Sequence, residues 1–351
     1  MRMNAPLALA AMLVVFMVSP DVYAQEGEAA ETTVQANVGL APIFADNIVL
    51  QRGSKINIWG NAAPGEMVSV ALDRQQRSVR AGQDGRWATT LSHPKAGGPY
   101  VLEANSPSFQ QRISNVMIGE VWLCSGQSNM GFKYSTATDL LQPAPSDDQL
   151  RLMRVDLVQS EVPLTTLKTT IPWSISHAET AKDFSAVCHQ FGSVLREKLK
   201  VPVGLITSAW GGSRIAPFID EGTLKARNIM PPFDPNIEAR QNGARAYNGM
   251  IAPLVPFSMR GAIWYQGESD ARAPEPYENY LHALATSWRT KFGQNWPMLI
   301  VQLPAYDPTP REKTGSWARI REAQRLYVKN DRNSALIAQI DQGSAKELHP
   351  P

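Results

Sequence analysis

The sequence has few cysteines, few histidines and almost no net charge. Its 351 residues include two cysteines and five histidines, and 34 basic against 32 acidic side chains give a formal net charge of +2. No long run of either sign occurs, which makes nucleic acid and anionic membranes poor candidates for a partner. The cysteines and histidines form no ligand cluster, so we expect no bound metal and no other cofactor.

The chain also lacks an apolar run of the roughly 20 residues that a membrane-spanning helix needs. The apolar stretch from Pro6 to Val18 follows an early arginine and precedes the small-residue site that ends at Ala24. This pattern predicts a signal peptide over residues 1–24, with a membrane anchor as the alternative. Residues 25–39 are polar and acidic, which is typical of a flexible lead-in. We expect an exported protein, either periplasmic or secreted.

The two cysteines are surrounded by apolar residues. Cys124 ends the run Val-Trp-Leu-Cys, and Cys188 lies on an apolar helical stripe. An exported chain can form a disulfide, but free cysteine commonly behaves as a small buried hydrophobe. We therefore predict two free, buried thiols, with a single disulfide as the alternative.

Residues 40–114 have the pattern of short strands and turns. Val68, Val70 and Leu72 alternate with polar or small neighbours, and Pro-Gly and Asp-Gly pairs mark turns between the runs. The pattern predicts a small all-β domain, most simply a sandwich. Its role is packing against an enzyme domain, with carbohydrate binding as the alternative.

Residues 115–351 alternate apolar runs with helical periodicity. The runs that resemble fully buried strands are EVWLCS, VGLITSAW, GAIWYQG, PMLIVQLP and SALIAQID. The segments 183–200 and 276–293 show helical spacing of apolar residues, with basic residues near their carboxyl ends. Strands alternating with helices predict an α/β domain, a mostly parallel sheet covered by helices on both faces in three layers.

Polar residues follow the apolar runs, where ligands bind in open parallel sheets. The segments at these strand ends are Ser125-Gly-Gln-Ser-Asn129, Ser208-Ala-Trp-Gly-Gly-Ser-Arg214, Gln266-Gly-Glu-Ser-Asp270 and Asp341-Gln-Gly-Ser-Ala-Lys-Glu-Leu-His349. A serine nucleophile needs a histidine to take its proton, and the oxyanion that forms needs preset N–H donors. A serine, a glycine pair, an amide and a histidine together predict serine acyl transfer.

Several of these segments resemble one family. GEVWLCSGQSNM, SAWGGSRI, YNGMIAPLVPF, WYQGESD and IDQGSAKELHP are similar to the signature segments of the sialate O-acetylesterases, a branch of the SGNH hydrolases. The segment IFADNIVLQRGSKINIWGNAAPGEMVSVAL resembles the amino-terminal β-domain of the same family. The resemblance covers nearly all of the chain after Leu40. It implies an SGNH-type three-layer domain preceded by a β-sandwich.

The resemblance also implies a role for each matching residue. Ser128 would be the nucleophile and His349 the general base. The Ser128 and Gly212 backbone N–H groups and the Gln266 amide would form the oxyanion hole. The side chains expected to order the nucleophile loop or bind substrate are Asn129, Asn248 and Arg214, the last through a substrate carboxylate.

The acid that would orient His349 does not follow the family pattern. Many SGNH enzymes have an aspartate three residues before the histidine, where this chain has Lys346. Asp341, at the end of the last apolar run, is our first choice because a strand end holds a carboxylate firmly. Glu347 is the second, and a backbone carbonyl the third. Glu268 could also serve as the acid, but we expect it to form structural hydrogen bonds beneath Gln266 instead. The family's final helix has no counterpart before Pro351, so the chain is expected to be shortened there.

The function implied is an esterase that removes O-acetyl groups from sugars through an acetyl-enzyme on Ser128. Acetylated sialic acid is the first substrate and acetylated xylan or another glycan the second. An α/β-hydrolase is disfavoured, because Gly126-Gln-Ser128-Asn-Met130 lacks the second glycine of a G-x-S-x-G elbow. The alternative from another class is a glycan-binding protein with a decayed site.

Overall fold

The computed structural model describes residues 38–137, 142–232, 238, 241–307 and 315–349. The predicted signal peptide lies outside these residues, as does the predicted lead-in except for its last two positions. Among the residues described, none of the helices combines the length and the apolar character that a membrane span requires.

The amino-terminal part consists of short strands. They are β1 (Gly39–Leu40), β2 (Val49–Gln51), β3 (Ile56–Asn61), β4 (Met67–Leu72), β5 (Gln75–Arg80), β6 (Arg86–Leu91) and β7 (Gly97–Ser106). Buried residues alternate with more exposed ones along β3 and β4, as expected for strands with one face on a core. Strands β1, β3 and β6 form one antiparallel sheet, while β4 pairs with β5 and β7. Trp87 and Phe109 stack across the two sheets with ring centroids 6.3 Å apart.

Strand β8 (Phe109–Gly126) is 18 residues long and belongs to both parts of the molecule. Its first half pairs with β7 and β2. Its second half, from Glu120, pairs in parallel with β11 (Val203–Ala209) and β12 (Gly261–Tyr265). The predicted boundary between residues 114 and 115 therefore falls inside one continuous strand.

The second half of β8 lies at the centre of a large mixed sheet. Its remaining strands are β9 (Asp147–Arg154), β10 (Ile171–Ser176), β13 (Met298–Val301) and β14 (Ser334–Ile337). The order is β10-β9-β11-β8-β12-β13-β14, and only β10 in this series runs antiparallel to its neighbour. The chain passes to one side of β8 and then to the other, so β8 stands at a topological switch point. The predicted α/β class is confirmed.

Helices pack around this sheet. They are α1 (Ser128–Gly131), α2 (Ala178–Ala181), α3 (Ala186–Leu199), α4 (Glu221–Ala226), α5 (Tyr277–Phe292) and α6 (Ser316–Asn330). Helices α3 and α5 confirm the predictions over 183–200 and 276–293. Helix α3 begins after Ser185, whose Oγ accepts the Cys188 N–H at 3.1 Å, and ends at Leu199, where the next residue, Lys200, adopts the left-handed conformation.

One strand departs from its prediction. The run SALIAQID was predicted to be a fully buried strand, but in β14 the side chains of Ala335 and Ile337 are exposed. Among the described residues β14 pairs with β13 alone, so it forms an edge of the sheet. An edge strand has a neighbour on one side, which explains its exposure.

The prediction of two free thiols is wrong. Cys124 and Cys188 form a disulfide with a Cα–Cα distance of 6.0 Å. Both residues are buried, as predicted. The apolar patterns gave their burial correctly, but periodicity could not indicate that α3 places Cys188 against the end of β8.

Candidate active site

The proposed nucleophile, Ser128, is the first residue of α1 and follows the carboxyl end of β8. The last residue of β8, Gly126, has a φ of +139°, and a Cβ there would lie 2.0 Å from the Tyr265 backbone oxygen. Only glycine allows β8 and β12 to approach so closely at this point. The Gln127 N–H donates to the same oxygen at 3.1 Å and fixes the turn. Ser128 is therefore presented, half-buried, at the carboxyl edge of the sheet.

His349 reaches Ser128 from the other end of the chain. Its Nε2 lies 2.9 Å from the Ser128 Oγ. With the imidazole proton on Nδ1, Nε2 accepts the hydroxyl hydrogen, which is the arrangement of a general base and its nucleophile. The ring of Phe132 faces the His349 ring with centroids 6.2 Å apart and planes at 26°. The structure thus brings together the two residues that the sequence paired.

The glycine pair lies beside Ser128. A Cβ placed at Gly211 would be 3.6 Å from the Ser128 Cβ, and Gly212 has a φ of +72°. The Trp210 N–H donates to the Gly126 oxygen at 3.0 Å and ties this loop to the end of β8. Among the described residues, neither the Ser128 nor the Gly212 backbone N–H donates to a protein acceptor. Donors of this kind suit an oxyanion.

Gln241 supports the glycine loop and was missed by the sequence analysis. Its amide N–H₂ donates to the Gly212 oxygen, and its Oε1 accepts the Arg214 N–H at 3.0 Å. The Gln241 amide thus both donates to and accepts from the backbone of the glycine loop, as the backbone of a neighbouring strand would. Nothing in the sequence around Gln241 marks it for this role, because its partners lie 27 and 29 residues away.

Gln266 is not free to serve as the predicted oxyanion donor. Its Nε2 faces three acceptors, which are the Asp270 Oδ2 at 2.6 Å and the Gln127 Oε1 and Ser213 oxygen at 3.1 Å each. An amide has two hydrogens, so these contacts use its donor capacity. The Tyr277 hydroxyl donates to the Gln266 Oε1 at 2.8 Å. Gln266 therefore fastens the loop after β12 to the nucleophile and glycine loops.

Asn129 connects the nucleophile loop to two other segments. Its Nδ2 donates to the Glu268 Oε1 at 2.6 Å and to the Leu348 backbone oxygen at 3.2 Å. Asn129 was expected to order the nucleophile loop or contact substrate, and in the structure it is buried with its amide engaged. Leu348 directly precedes His349 in the chain, so Asn129 holds the backbone next to the histidine.

Two buried carboxyl groups lie under the site. Burial raises the pKa of Glu268 to about 7, although the Asn129 amide opposes the shift. Burial likewise raises the pKa of Asp270 to about 6, against the hydrogen bonds from Gln266 and the Ile215 N–H. Asp270 joins the glycine loop to the loop after β12, since its Oδ2 accepts from both.

The other two predicted substrate-binding residues differ in position. Asn248 is buried, and its Nδ2 donates to the backbone oxygens of Ser160 and Glu161 at 3.1 and 2.9 Å. The Asn248 amide therefore stabilises the loop that contains Ser160 and Glu161. Arg214 is exposed and follows the glycine loop directly. Its guanidinium is accessible to a ligand.

The structure does not bring the proposed acids to the histidine. Asp341 and Glu347 are both exposed, and within the described residues neither forms a hydrogen bond with His349. The Glu347 N–H donates to the Ser344 Oγ at 3.1 Å, so this residue contributes to a turn. The backbone carbonyl that lies nearest in sequence, that of Leu348, is held by Asn129.

A serine in the turn after the central parallel strand, with a glycine loop and a histidine beside it, places this protein in the SGNH class of hydrolase folds. The chain belongs to the carbohydrate esterase family of sialic acid-specific acetylesterases, whose family model matches residues 118–349.

Individual relatives agree with this assignment. Human sialate O-acetylesterase is 32% identical over 309 residues, which cover 78% of this chain and 58% of that protein. The mouse sialate O-acetylesterase is 31% identical over 323 residues, covering 75% and 60% of the two chains. A solved carbohydrate acetylesterase from Xanthomonas citri superposes with a TM-score of 0.80 at 30% identity, over 90% of this chain and 71% of that one. The chain thus spans about 58 to 60% of the length of these curated relatives.

Proposed function

We propose that this protein is an exported serine esterase that removes O-acetyl groups from sugars, with Ser128 as nucleophile. The observation that carries the proposal is the 2.9 Å contact between the Ser128 Oγ and the His349 Nε2 beside the glycine loop. Family membership supports the same reaction.

In the proposed reaction the Ser128 Oγ attacks the acetyl carbonyl carbon while the His349 Nε2 takes the hydroxyl proton. The negative oxygen that develops accepts hydrogen bonds from the Ser128 and Gly212 N–H groups. The bond between carbon and sugar oxygen then breaks, and the proton on His349 passes to that oxygen. Water attacks the acetyl-enzyme with His349 again as base, which restores Ser128 and releases acetate.

A fluorophosphonate probe tests the nucleophile directly. The wild type should be labelled and Ser128→Ala should not. Ser176→Ala, which changes a buried serine that also contacts a histidine, is the matched control and should be labelled like the wild type. No labelling of the folded wild type would favour a glycan-binding protein with a decayed site and would overturn the proposal.

The substrate we propose is O-acetylated sialic acid, with Arg214 contacting its carboxylate. The supporting observation is the exposure of Arg214 next to the glycine loop. Loss of one charge-assisted hydrogen bond worth about 1.5 kcal/mol weakens substrate binding roughly tenfold. Arg214→Gln should therefore raise the KM for acetylated sialic acid about tenfold and leave hydrolysis of a neutral acetyl ester unchanged. Faster acetate release from acetylated xylan than from acetylated sialic acid would favour the second substrate class instead.

A further inference from the structure

The link between the nucleophile and the histidine segment is a closed ring of contacts. Ser128 and Asn129 are adjacent in the chain, as are Leu348 and His349. The Ser128 Oγ contacts the His349 Nε2 at 2.9 Å, and the Asn129 Nδ2 donates to the Leu348 oxygen at 3.2 Å. Two hydrogen bonds between two dipeptides fix both the distance and the direction of approach of the imidazole.

The segment before His349 has few other anchors. Residues 341–348 are exposed apart from the partly buried Gly343. The segment has no long apolar side chain except that of Leu348, which is itself exposed. The Asp307 N–H donates to the Ala345 oxygen at 3.2 Å, which holds the middle of the segment. The position of the imidazole therefore depends strongly on the Asn129 contact.

Glu268 orients the amide that makes this contact. Its Oε1 accepts the second Asn129 N–H at 2.6 Å, and the Glu268 side chain is buried. The other carboxyl oxygen, Oε2, is buried and has no partner of normal hydrogen-bond geometry among the described residues, although the backbone N–H groups of Gly267 and of Glu268 itself lie close enough to lower the pKa of the carboxyl. Burying a carboxyl group with one oxygen unpaired is costly, so a purely structural position would be served better by an apolar side chain.

We propose that Glu268 is a positioning residue that acts through Asn129: it holds the Asn129 amide so that the Leu348 carbonyl, and with it His349, stays in place against Ser128. The inference rests on the proposed function, since it concerns the same serine and histidine. It gives the histidine segment a fixed orientation although neither Asp341 nor Glu347 contacts the imidazole. The raised pKa of Glu268 is consistent with the arrangement, because either protonation state leaves Oε1 able to accept from Asn129.

The test compares Glu268→Ala, Glu268→Gln, Asn129→Ala and the double variant Asn129→Ala/Glu268→Ala in hydrolysis of a small acetyl ester. Displacing a catalytic group by about 1 Å can cost on the order of 10² in rate. Glu268→Ala should lower kcat about 10- to 100-fold with KM within about twofold. Glu268→Gln keeps an acceptor at Oε1 and should restore kcat to within about threefold of the wild type. Because Glu268 acts through Asn129, the double variant should be no slower than Asn129→Ala.

Glu120→Gln is the matched control for altering a buried carboxylate. Glu120 lies in β8 away from the carboxyl edge and contacts Arg52 and Arg260, so its substitution should lower the melting temperature and leave kcat unchanged. If Glu268→Ala does not fold, Glu268→Gln and Asn129→Ala still carry the test. A Glu268→Ala kcat within threefold of wild type, a Glu268→Gln as slow as Asn129→Ala, or additive losses in the double variant would each overturn the proposal. Activity that survives in Ser128→Ala would instead overturn the proposed function.

Discussion

Two serine–histidine pairs occur in the described part of this molecule at the same separation. The Ser128 Oγ lies 2.9 Å from His349, and the Ser176 Oγ lies 2.9 Å from the Nε2 of His189. Ser176 and His189 are both buried, whereas Ser128 and His349 are partly exposed. Burial lowers the pKa of His189 to about 4, and the ring of Tyr134 packs against it with centroids 4.9 Å apart.

The difference lies in what surrounds each pair. Ser176 ends the antiparallel strand β10. Ser128 begins α1, two residues after the central strand β8 ends at Gly126, and lies beside glycines whose backbone can approach a substrate oxygen. A short serine–histidine distance is therefore not sufficient for acyl transfer, because the reaction also needs access and preset donors.

The largest expected difference is between the two serines. Ser128→Ala should lower kcat for an acetyl ester by on the order of 10⁴ or more, because the nucleophile and its histidine act as a unit. Ser176→Ala should keep kcat within about twofold. Steady-state hydrolysis with a melting temperature for each variant makes the comparison. A comparable loss in both variants would show that the buried pair takes part in the reaction.

The disulfide connects the two pairs, since Cys124 lies four residues before Ser128 and Cys188 adjoins His189. Closing a loop with a sequence separation of 64 residues stabilises the fold by about 4 kcal/mol in the chain-entropy model. The double variant Cys124→Ala/Cys188→Ala should lose about this much free energy of unfolding in urea. The wild type in excess reductant is the control and should lose a similar amount. Equal midpoints for oxidised wild type and variant would contradict the prediction.

His189 should make the protein sensitive to acid. Its pKa is about 4 in the folded state against 6.5 in the unfolded chain, so only the unfolded state binds the proton between these values. Stability should fall as pH decreases from about 6.5 to about 4, by up to about 3 kcal/mol. His189→Gln keeps a polar partner for Ser176 and should flatten this dependence in urea titrations.

Glu268 contributes the opposite slope, because its pKa is raised to about 7 in the folded state and the native protein therefore binds that proton more tightly. This contribution is common to the wild type and His189→Gln, so the difference between their two curves isolates His189. A difference that does not change between pH 7 and pH 4 would contradict the assigned cause.

The smallest expected effect concerns Asp341. Since it is exposed and makes no hydrogen bond with His349 among the described residues, Asp341→Asn should change kcat by less than about tenfold. A decrease in kcat of about 10⁴, which is the effect of removing the orienting aspartate in serine proteases, would instead identify Asp341 as the acid that orients His349. Glu347→Gln is the parallel variant for the second acid.

Continuous apolar runs made much of the central sheet predictable. Four of the five predicted buried strands correspond to β8, β11, β12 and β13, because strands buried on both faces lack polar positions. Helix α6 was missed since charged residues hide the spacing of its buried Trp317, Ile320 and Tyr327. Strand β9, DDQLRLMR, was missed because it begins with two aspartates and buries Arg151 among its apolar residues, so it shows neither a continuous apolar run nor a regular alternation.

The geometry of the candidate site could be expected only where the local sequence determines a turn. Ser128 and Gly212 belong to turns whose glycines are visible in the sequence. Glu268 was expected to form structural hydrogen bonds, but its partner Asn129 lies 139 residues away and the Arg214 partner of Gln241 lies 27 residues away, and periodicity does not report such contacts. Gln266 shows the same limit. The sequence indicated that an amide follows β12, but the three acceptors that engage its Nε2 are brought there by tertiary structure.

Strand β8 has a practical consequence for protein engineering. The residue that precedes the nucleophile turn, Gly126, and the residue that stacks on Trp87, Phe109, are the two ends of one strand. A catalytic fragment that begins at residue 115 would start inside β8 and would leave Val116 and Ile118 without the β7 residues with which they pair. Exchange of the amino-terminal part between relatives therefore requires a crossover in the turn before Phe109, which keeps β8 whole. Strands β2 and β7 would then come from one relative and β8 from the other, and the side chains of β8 must still fit the register of its pairing with β2 and β7.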